Sequence, residues 1–303
     1  QVQSGSFPVE KGVRQGAPES APLFSSLVDG VLATLWPSWQ ERGLGVVLRG
    51  SEDVSEVVLT HFAFADDILL LAKSRQALAQ MVRELKAALL QKGLKLSTDH
   101  GKCVWHELLT ASAVDSDRVE TVLEVDADLS LAYSPVIKVL GNQFSHTGTL
   151  AEELSWRVER AWASFWALRP LLLRKHVPLG SRLRLLGMTV LMGMQWGSES
   201  THYRESELRR LDTVHTLMVR TMMNCPRISD LEETWVEYNI RTMRLARAHI
   251  WKHGEVLSSM IARKQWRWWG HVMRLDSTRM IKRILEWIGL PWWRKNQRRP
   301  LGV

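Results

Sequence analysis

The segment His61-Phe62-Ala63-Phe64-Ala65-Asp66-Asp67-Ile68-Leu69-Leu70-Leu71-Ala72 sets two adjacent carboxylates between apolar runs that read as strands. A turn between strands normally carries Gly or Asn, so an acid pair there needs a physical reason. Two like charges about 4 Å apart repel by ~4 kcal/mol at an effective dielectric near 20. A sequence tolerates that when the pair faces water or a cation. Hard cations such as Mg²⁺ take carboxylate oxygens and leave positions open for phosphate oxygens. A turn between rigid strands aims the pair at one point, as metal-assisted phosphoryl transfer requires. A plain exposed turn would also accept Asp-Asp, so the rest of the chain has to decide.

Periodicity supplies the elements that must position the pair. From Pro18 to Leu35 the residues Leu23, Leu27, Val31 and Leu35 recur every four, a helical stripe. Val57–Ala63 and Ile68–Ala72 read as the two strands of a hairpin around Asp66-Asp67. Ser74 is placed to cap a helix whose apolar face is Leu78, Met81, Val82, Leu85 and Leu89, and Gly93 to end it. Asp115 to Asp128 is acidic and poorly periodic, a loop with short strands. From about Leu154 the pattern is almost wholly helical, with faces at Leu154, Val158, Ala161, Phe165 and Leu168 and at Leu208, Leu211, His215, Met218 and Met222. Pro170, Pro178 and Pro226 separate these pieces. Strands and helices in this order predict an α+β fold.

The charge is unevenly placed. Residues 241–303 hold 15 Lys and Arg against three acids, a local balance of +12, so the rest carries −4 of the chain's net +8. Seven of the 15 tryptophans also lie there, and that end reads either as a surface for a polyanion or as a solvated face. Two cysteines, Cys103 and Cys225, make no disulfide framework and no local zinc site. They fit an intracellular setting, nuclear or cytoplasmic. No apolar run approaches the ~20 residues that span a bilayer, so no membrane partner is expected, and Gln1–Glu10 lacks a signal-peptide pattern. His271 stands without a Cys or His partner at ligand spacing and reads as structural. Of Trp266, Trp268 and Trp269, at least one is expected in a core or interface, because helical spacing cannot expose all three equally.

Several segments together resemble reverse transcriptases. Arg14-Gln15-Gly16-Ala17-Pro18-Glu19-Ser20-Ala21-Pro22-Leu23-Phe24 resembles motif B, Arg-Gln-Gly-x-Pro-x-Ser-Pro-x-Leu-Phe. Ala17 stands where Asp or Cys is common, Glu19 where Leu is common, and the second proline comes one place late at Pro22. Gly16 lets backbone approach a nucleotide, and Pro18 launches the helix. Phe64-Ala65-Asp66-Asp67 looks like the YxDD-type motif with Phe in the aromatic place. Lys92-Gly93-Leu94-Lys95-Leu96-Ser97, followed after a longer gap than usual by Lys102, is similar to motif D. Val139-Leu140-Gly141 with Phe144 resembles motif E, the primer grip. Trp196-Gly197-Ser198-Glu199-Ser200 resembles the Tyr-Gly-x-Glu-Thr segment after the thumb helices of LINE-type (non-LTR) enzymes. Arg267-Trp268-Trp269-Gly270-His271-Val272-Met273-Arg274 resembles a segment near the C-terminal end of such polyproteins.

The resemblance implies a partial polymerase palm at 1–150, a helical thumb at 151–230 and a basic, Trp-rich helical segment at 231–303. It implies an RNA-directed DNA polymerase of a retrotransposon, a nucleotidyltransferase acting on an RNA template, a DNA primer and dNTP. In that family Asp66 and Asp67 would be catalytic Mg²⁺ ligands, and Arg14, Gln15, Gly16, Ser20 and Lys102 would serve template and nucleotide. Leu140 and Gly141 would grip the primer, and Arg267, Trp268, Arg274, Arg298 and Arg299 would contact nucleic acid. The family's third carboxylate lies on an earlier strand, motif A, yet the only acid ahead of Arg14 is Glu10. The resemblance therefore implies a fragment with an incomplete two-metal site, inactive alone, for which a missing N-terminal polymerase half would supply the rest. A start on Gln1 rather than Met agrees with that expectation. Two other readings stay open: a non-enzymatic nucleic-acid binding remnant, and an unselected, decayed reading frame.

Overall fold

The computed structural model describes residues 17–48, 56–97, 102–108, 122–227 and 233–285. The contacts divide the chain into unit 1 (1–106, 116–134 and 277–303) and unit 2 (107–115 and 135–276). Helices and small sheets alternate within unit 1 and helices dominate unit 2, an α+β composition.

Unit 1 is built on two packed helices, α1 (Ser20–Glu41) and α2 (Arg75–Gln91). Ser74 caps α2 as its sequence predicts, its Oγ accepting from the Ala77 N–H at 3.2 Å. Gly93 follows the helix at φ 76°, where a side chain would be strained. The buried side of α1 is Val28, Val31, Leu32 and Trp39, whereas Leu23 and Leu27 of the expected stripe are exposed. The reason is geometric. With 3.6 residues per turn, an every-four stripe drifts around the helix, so only part of it can meet a straight partner. The indole of Trp39 donates to Glu84 Oε2 at 2.8 Å. Arg42 (2.8 and 2.6 Å) and Gln80 (3.2 Å) donate to the same carboxylate. Led by Arg42, these donors pull the Glu84 carboxyl down to about 2.

Four short strands connect the helices: β1 (Val46–Leu48), β2 (Val57–Leu59), β3 (His61–Phe64) and β4 (Asp67–Leu70). β1 pairs with β2 and β3 with β4, both antiparallel. The run 57–63 is therefore two strands of two sheets, parted at Thr60. α2 also buries Ala79 and Val82 against β5 (Val104–Trp105), β6 (Val122–Asp126) and β7 (Leu129–Tyr133), in sheet order β5-β7-β6. Thus 122–126, in the span expected as a loop with short strands, is an alternating strand, and 109–121 lie outside the described residues. Ile284 packs on Leu48, Val57 and Leu59, so the chain returns to unit 1 after unit 2 is complete.

Unit 2 opens with a hairpin, β8 (Val136–Val139) and β9 (Asn142–Ser145), followed by α3 (Ala151–Ala167) and α4 (Arg169–Leu172). Next come α5 (Leu179–Leu186), a π-helical turn at Gly187–Leu191 and α6 (Met192–Met194). Three long helices end it, α7 (Glu205–Met223), α8 (Trp235–His253) and α9 (Leu257–Met273). One core joins all of these helices through Phe165, Leu172, Leu186, Met194, Leu211, Met218, Ala246, Ile250, Leu257 and Ile261. Buried Arg182 donates to the carbonyls of Leu172, Val177 and Met222, chain ends that lack helical partners. Asp212 of α7 accepts from the N–H (2.8 Å) and hydroxyl (2.6 Å) of Ser258, capping α9 from another helix.

His215, expected on the inner face of α7, is 3% exposed, with Nδ1 buried and unpaired. Burial pushes its pKa down to about 4, against a smaller opposing pull from Asp212. The unfolded chain takes up this proton near 6.5 and the folded chain near 4. Between those values the unfolded state binds more protons, so stability falls as pH falls. Urea midpoints measured from pH 7 to pH 4 are expected to separate wild type from His215→Leu. The variant loses less stability over that window, by up to ~3 kcal/mol, and parallel curves would contradict the assignment.

Candidate functional site

The register of the β3–β4 hairpin is His61↔Leu70, Phe62↔Leu69, Ala63↔Ile68 and Phe64↔Asp67. Ala65 and Asp66 are thus the two turn residues and Asp67 begins the return strand. Both carboxylates are exposed. Among the described residues neither makes a hydrogen bond or ion pair, which leaves their oxygens open to a cation. Ala65 sits at φ 52°, a left-handed conformation that costs an L-residue roughly 1–2 kcal/mol. Strain held beside exposed, functional-type side chains is the usual place for it. The hairpin is anchored at its other end. His61 meets the ring of Trp39 edge-on at 6.3 Å and contacts the Thr60 hydroxyl at 3.0 Å, and burial lowers its pKa. Among the described residues, no three His, Cys, Asp or Glu side chains gather as a metal site. The pair offers the hard oxygen ligands that Mg²⁺ takes, but these residues do not close a site around it.

Residues 1–143 match the family described as reverse transcriptase (RNA-dependent DNA polymerase), a span that contains the acid hairpin. Those residues belong to the reverse transcriptase family. Two relatives extend the comparison. An uncharacterized transposon-derived protein of Caenorhabditis elegans is 24% identical over 246 residues, 80% of this chain and 82% of that protein. A retrovirus-related Pol polyprotein from the type-1 retrotransposable element R2 of Nasonia vitripennis is 33% identical over 111 residues. That match covers 37% of this chain and 10% of the polyprotein. These relatives support a retrotransposon reverse transcriptase. No solved structure matches the chain.

The reverse transcriptase motif likened to the primer grip forms the turn of β8–β9, with Val139 paired to Asn142. Leu140 (φ 48°) and Gly141 (φ 81°) are both left-handed, the geometry of a type I′ hairpin turn. The segment Trp196-Gly197 is held against it. Trp196 Nε1 donates to the Leu140 carbonyl at 2.8 Å, and a Cβ on Gly141 would lie 3.0 Å from the same nitrogen. A Cβ on Gly197 would fall 2.5 Å from Asn142 Oδ1. Buried Arg157 of α3 fastens the two segments. It donates to Asn142 Oδ1 (2.9 Å), to the carbonyls of Met194 (3.3 Å) and Trp196, and to Glu153. Glu153 in turn accepts from the Gln143 N–H at 2.7 Å.

The other sequence-derived candidates are dispersed. Ser20 begins α1, Lys102 is exposed before β5, and Arg14, Gln15, Gly16, Arg298 and Arg299 lie outside the described residues. Arg267 and Arg274 are both exposed and seven positions apart, on one side of α9 and its end. Trp268 is half-buried, edge-on to Trp269 at 5.7 Å, and Trp266 is 54% exposed. Reading the sequence missed Glu153 and Arg157. Its one available signal was an i,i+4 acid–base pair flanking the inward stripe of α3 rather than opposite it.

Removing one partner of a buried ion pair strands the other charge. Glu153→Ala is expected to lower unfolding free energy by about 3–5 kcal/mol in urea titration. Glu153→Gln, which keeps an acceptor for Gln143 and Arg157, is expected to cost clearly less. Equal losses would mean the charge is immaterial.

Proposed function

We propose that this chain is the palm and thumb part of a non-LTR retrotransposon reverse transcriptase, an RNA-directed DNA polymerase by descent that does not extend a primer alone. The observation that carries the reading is the Phe64-Ala65-Asp66-Asp67 hairpin, with one carboxylate in a strained two-residue turn and the other on the first residue after it, both exposed. In this reading residues 1–150 are the palm remainder, 151–230 the helical thumb and 231–303 the basic, Trp-rich segment. Asp66 and Asp67 would hold Mg²⁺, which lowers the charge barrier between primer oxygen and triphosphate when bound. This chain's own contribution is to aim two oxygen ligands from one rigid turn. Leu140-Gly141 supports the primer end, while Ser20 and Lys102 with Arg14, Gln15 and Gly16 serve template and nucleotide. The α9 residues Arg267 and Arg274 and the end residues Arg298 and Arg299 meet phosphate.

Two observations support the need for a further segment. A two-metal clamp needs more than two adjacent acids, and among the described residues no third ligand gathers beside them. The run Phe62-Ala63-Phe64 is apolar yet exposed, Phe62 by 44% and Phe64 by 66%, as a strand awaiting a neighbour would be. The reading as a nucleic-acid binding remnant without catalysis is favoured by the same shortage, and one assay separates them.

Incorporation of labelled dTTP on poly(rA) with oligo(dT) and Mg²⁺ or Mn²⁺ is expected to be absent for this chain. It is expected to appear on addition of an upstream segment carrying the missing strand, and to vanish again in Asp66→Ala. Extension by the chain alone that survives Asp66→Ala would remove the assignment.

A further inference from the structure

α8 contributes Thr242, Ala246 and Ile250 to the interior of unit 2. The opposite side of an amphipathic helix is ordinarily polar, but here it is not. Val236, Ile240, Arg244, Arg247 and Trp251, spaced four, four, three and four, share one face and are all exposed. The three apolar members are strongly so, at 65%, 47% and 63%. Among the described residues, the side chains of Arg244, Arg247 and Trp251 make no hydrogen bond, ion pair or ring contact. The helix's one carboxylate, Glu237, is turned onto its own cap, accepting from the N–H and hydroxyl of Thr234. Arg241, the third arginine of the helix, is already paired with Glu233. Two unneutralised guanidinium groups therefore stand between an open indole ring and bare aliphatic side chains.

We propose that this outward face of α8 is a platform for single-stranded nucleic acid. The cations suit phosphates, and the indole offers a stacking face that needs an unpaired base. The stripe runs about 22 Å along the helix, the rise of roughly six nucleotides at 3.4 Å each. Arg244 and Arg247 lie one turn apart, so both can meet one backbone while Trp251 takes a base at one end. Ile240 and Val236 give apolar contact at the other. The platform is separate from the α9 arginines, and it rests on the polymerase reading only for the class of ligand.

The test is fluorescence anisotropy of the full chain with labelled (dT)20, (rU)20 and a 20-base-pair DNA duplex, across several salt concentrations. The variants are Arg244→Gln/Arg247→Gln, Trp251→Ala and, on α9, Arg267→Gln/Arg274→Gln. Thermal melts check that each folds as wild type does. The double α8 variant is expected to flatten the log–log salt slope on single strands by about 1.4, two phosphates at ~0.7 each. Trp251→Ala is expected to weaken single-strand binding about 5- to 100-fold and duplex binding little. Wild-type slope and affinity in both α8 variants, with loss only in the α9 variant, would overturn the platform and leave the polymerase reading standing. Equal loss on duplex and single strands in Trp251→Ala would also overturn it. The same holds if polyglutamate competes fully and Trp251→Ala has no effect, which would mark a dock for acidic protein. No binding to any of the three probes would overturn both readings.

Discussion

A guanidinium taken out of water loses several kcal/mol of hydration, and in unit 2 Arg157, only 5% exposed, does so beside the β8–β9 hairpin, as Arg182 does among the helices. The acceptors of Arg157 come from Glu153 on its own helix, from Asn142 on β9 and from the chain leaving α6. Each belongs to a different segment, so no one of them can move without leaving part of a buried charge unpaired. The close approaches follow from that. With Trp196 drawn against the Leu140 carbonyl and Gly197 against Asn142, there is no room for a Cβ at Gly141 or Gly197. A hairpin of eight strand residues and one two-residue turn, marginal by itself, becomes a fixed projection of a helical core.

The acid hairpin is held differently. Its open end carries strain at Ala65 and two like charges side by side, neither of which stabilises the fold. Compensation lies at the far end, where the Thr60 carbonyl accepts from the Leu71 N–H at 2.8 Å and His61 abuts Trp39. Trp39, fully buried, is tied in turn to Glu84 on α2. The acid turn is thus set at the end of a short lever whose fulcrum is the α1–α2 core. Sites that must bind charge are often the least stable parts of their scaffolds, and their geometry depends on the packing behind them.

What could be read from the sequence was what local chemistry decides. Ser74 and Gly93 bounded α2 because a cap hydroxyl and a left-handed glycine act within one turn. The acid hairpin was legible from apolar runs on either side of Asp66-Asp67, and the inner face of α7 from its regular spacing. The buried face of α1 was legible only in part: Val28 and Val31 lie inward with Phe24 and Leu35 packed beside them, but Leu23 and Leu27 face out, since the phase of a helix is set by its partner as well as by its own stripe. Not legible were the pairing of β1 with β2, or the return of Ile284 to Leu48, Val57 and Leu59, which depends on contacts over two hundred positions away. Glu153 and Arg157 look like an ordinary surface pair until the hairpin covers them. Three of the five candidate residues for template and nucleotide, Arg14, Gln15 and Gly16, lie outside the described residues, so their placement rests on motif order alone.

The basic end illustrates how charge and packing share the same helices. A surplus of +12 in 63 residues reads as an appended cationic tail. Yet Ala246, Ile250, Leu257 and Ile261 from that stretch lie in the core of unit 2 beside Phe165 and Met218. Removing the segment would therefore open the core as well as remove the charge, and lost binding after such a deletion would not identify the cause. Substitutions on the outward faces avoid that ambiguity. A rigid helix also constrains what its cations can reach: Arg244 and Arg247 are about 4.5 Å apart along the axis, a spacing that a flexible tail would not maintain. The number of phosphates neutralised, and so the salt dependence, is then set by helix geometry and not by the total charge of the segment.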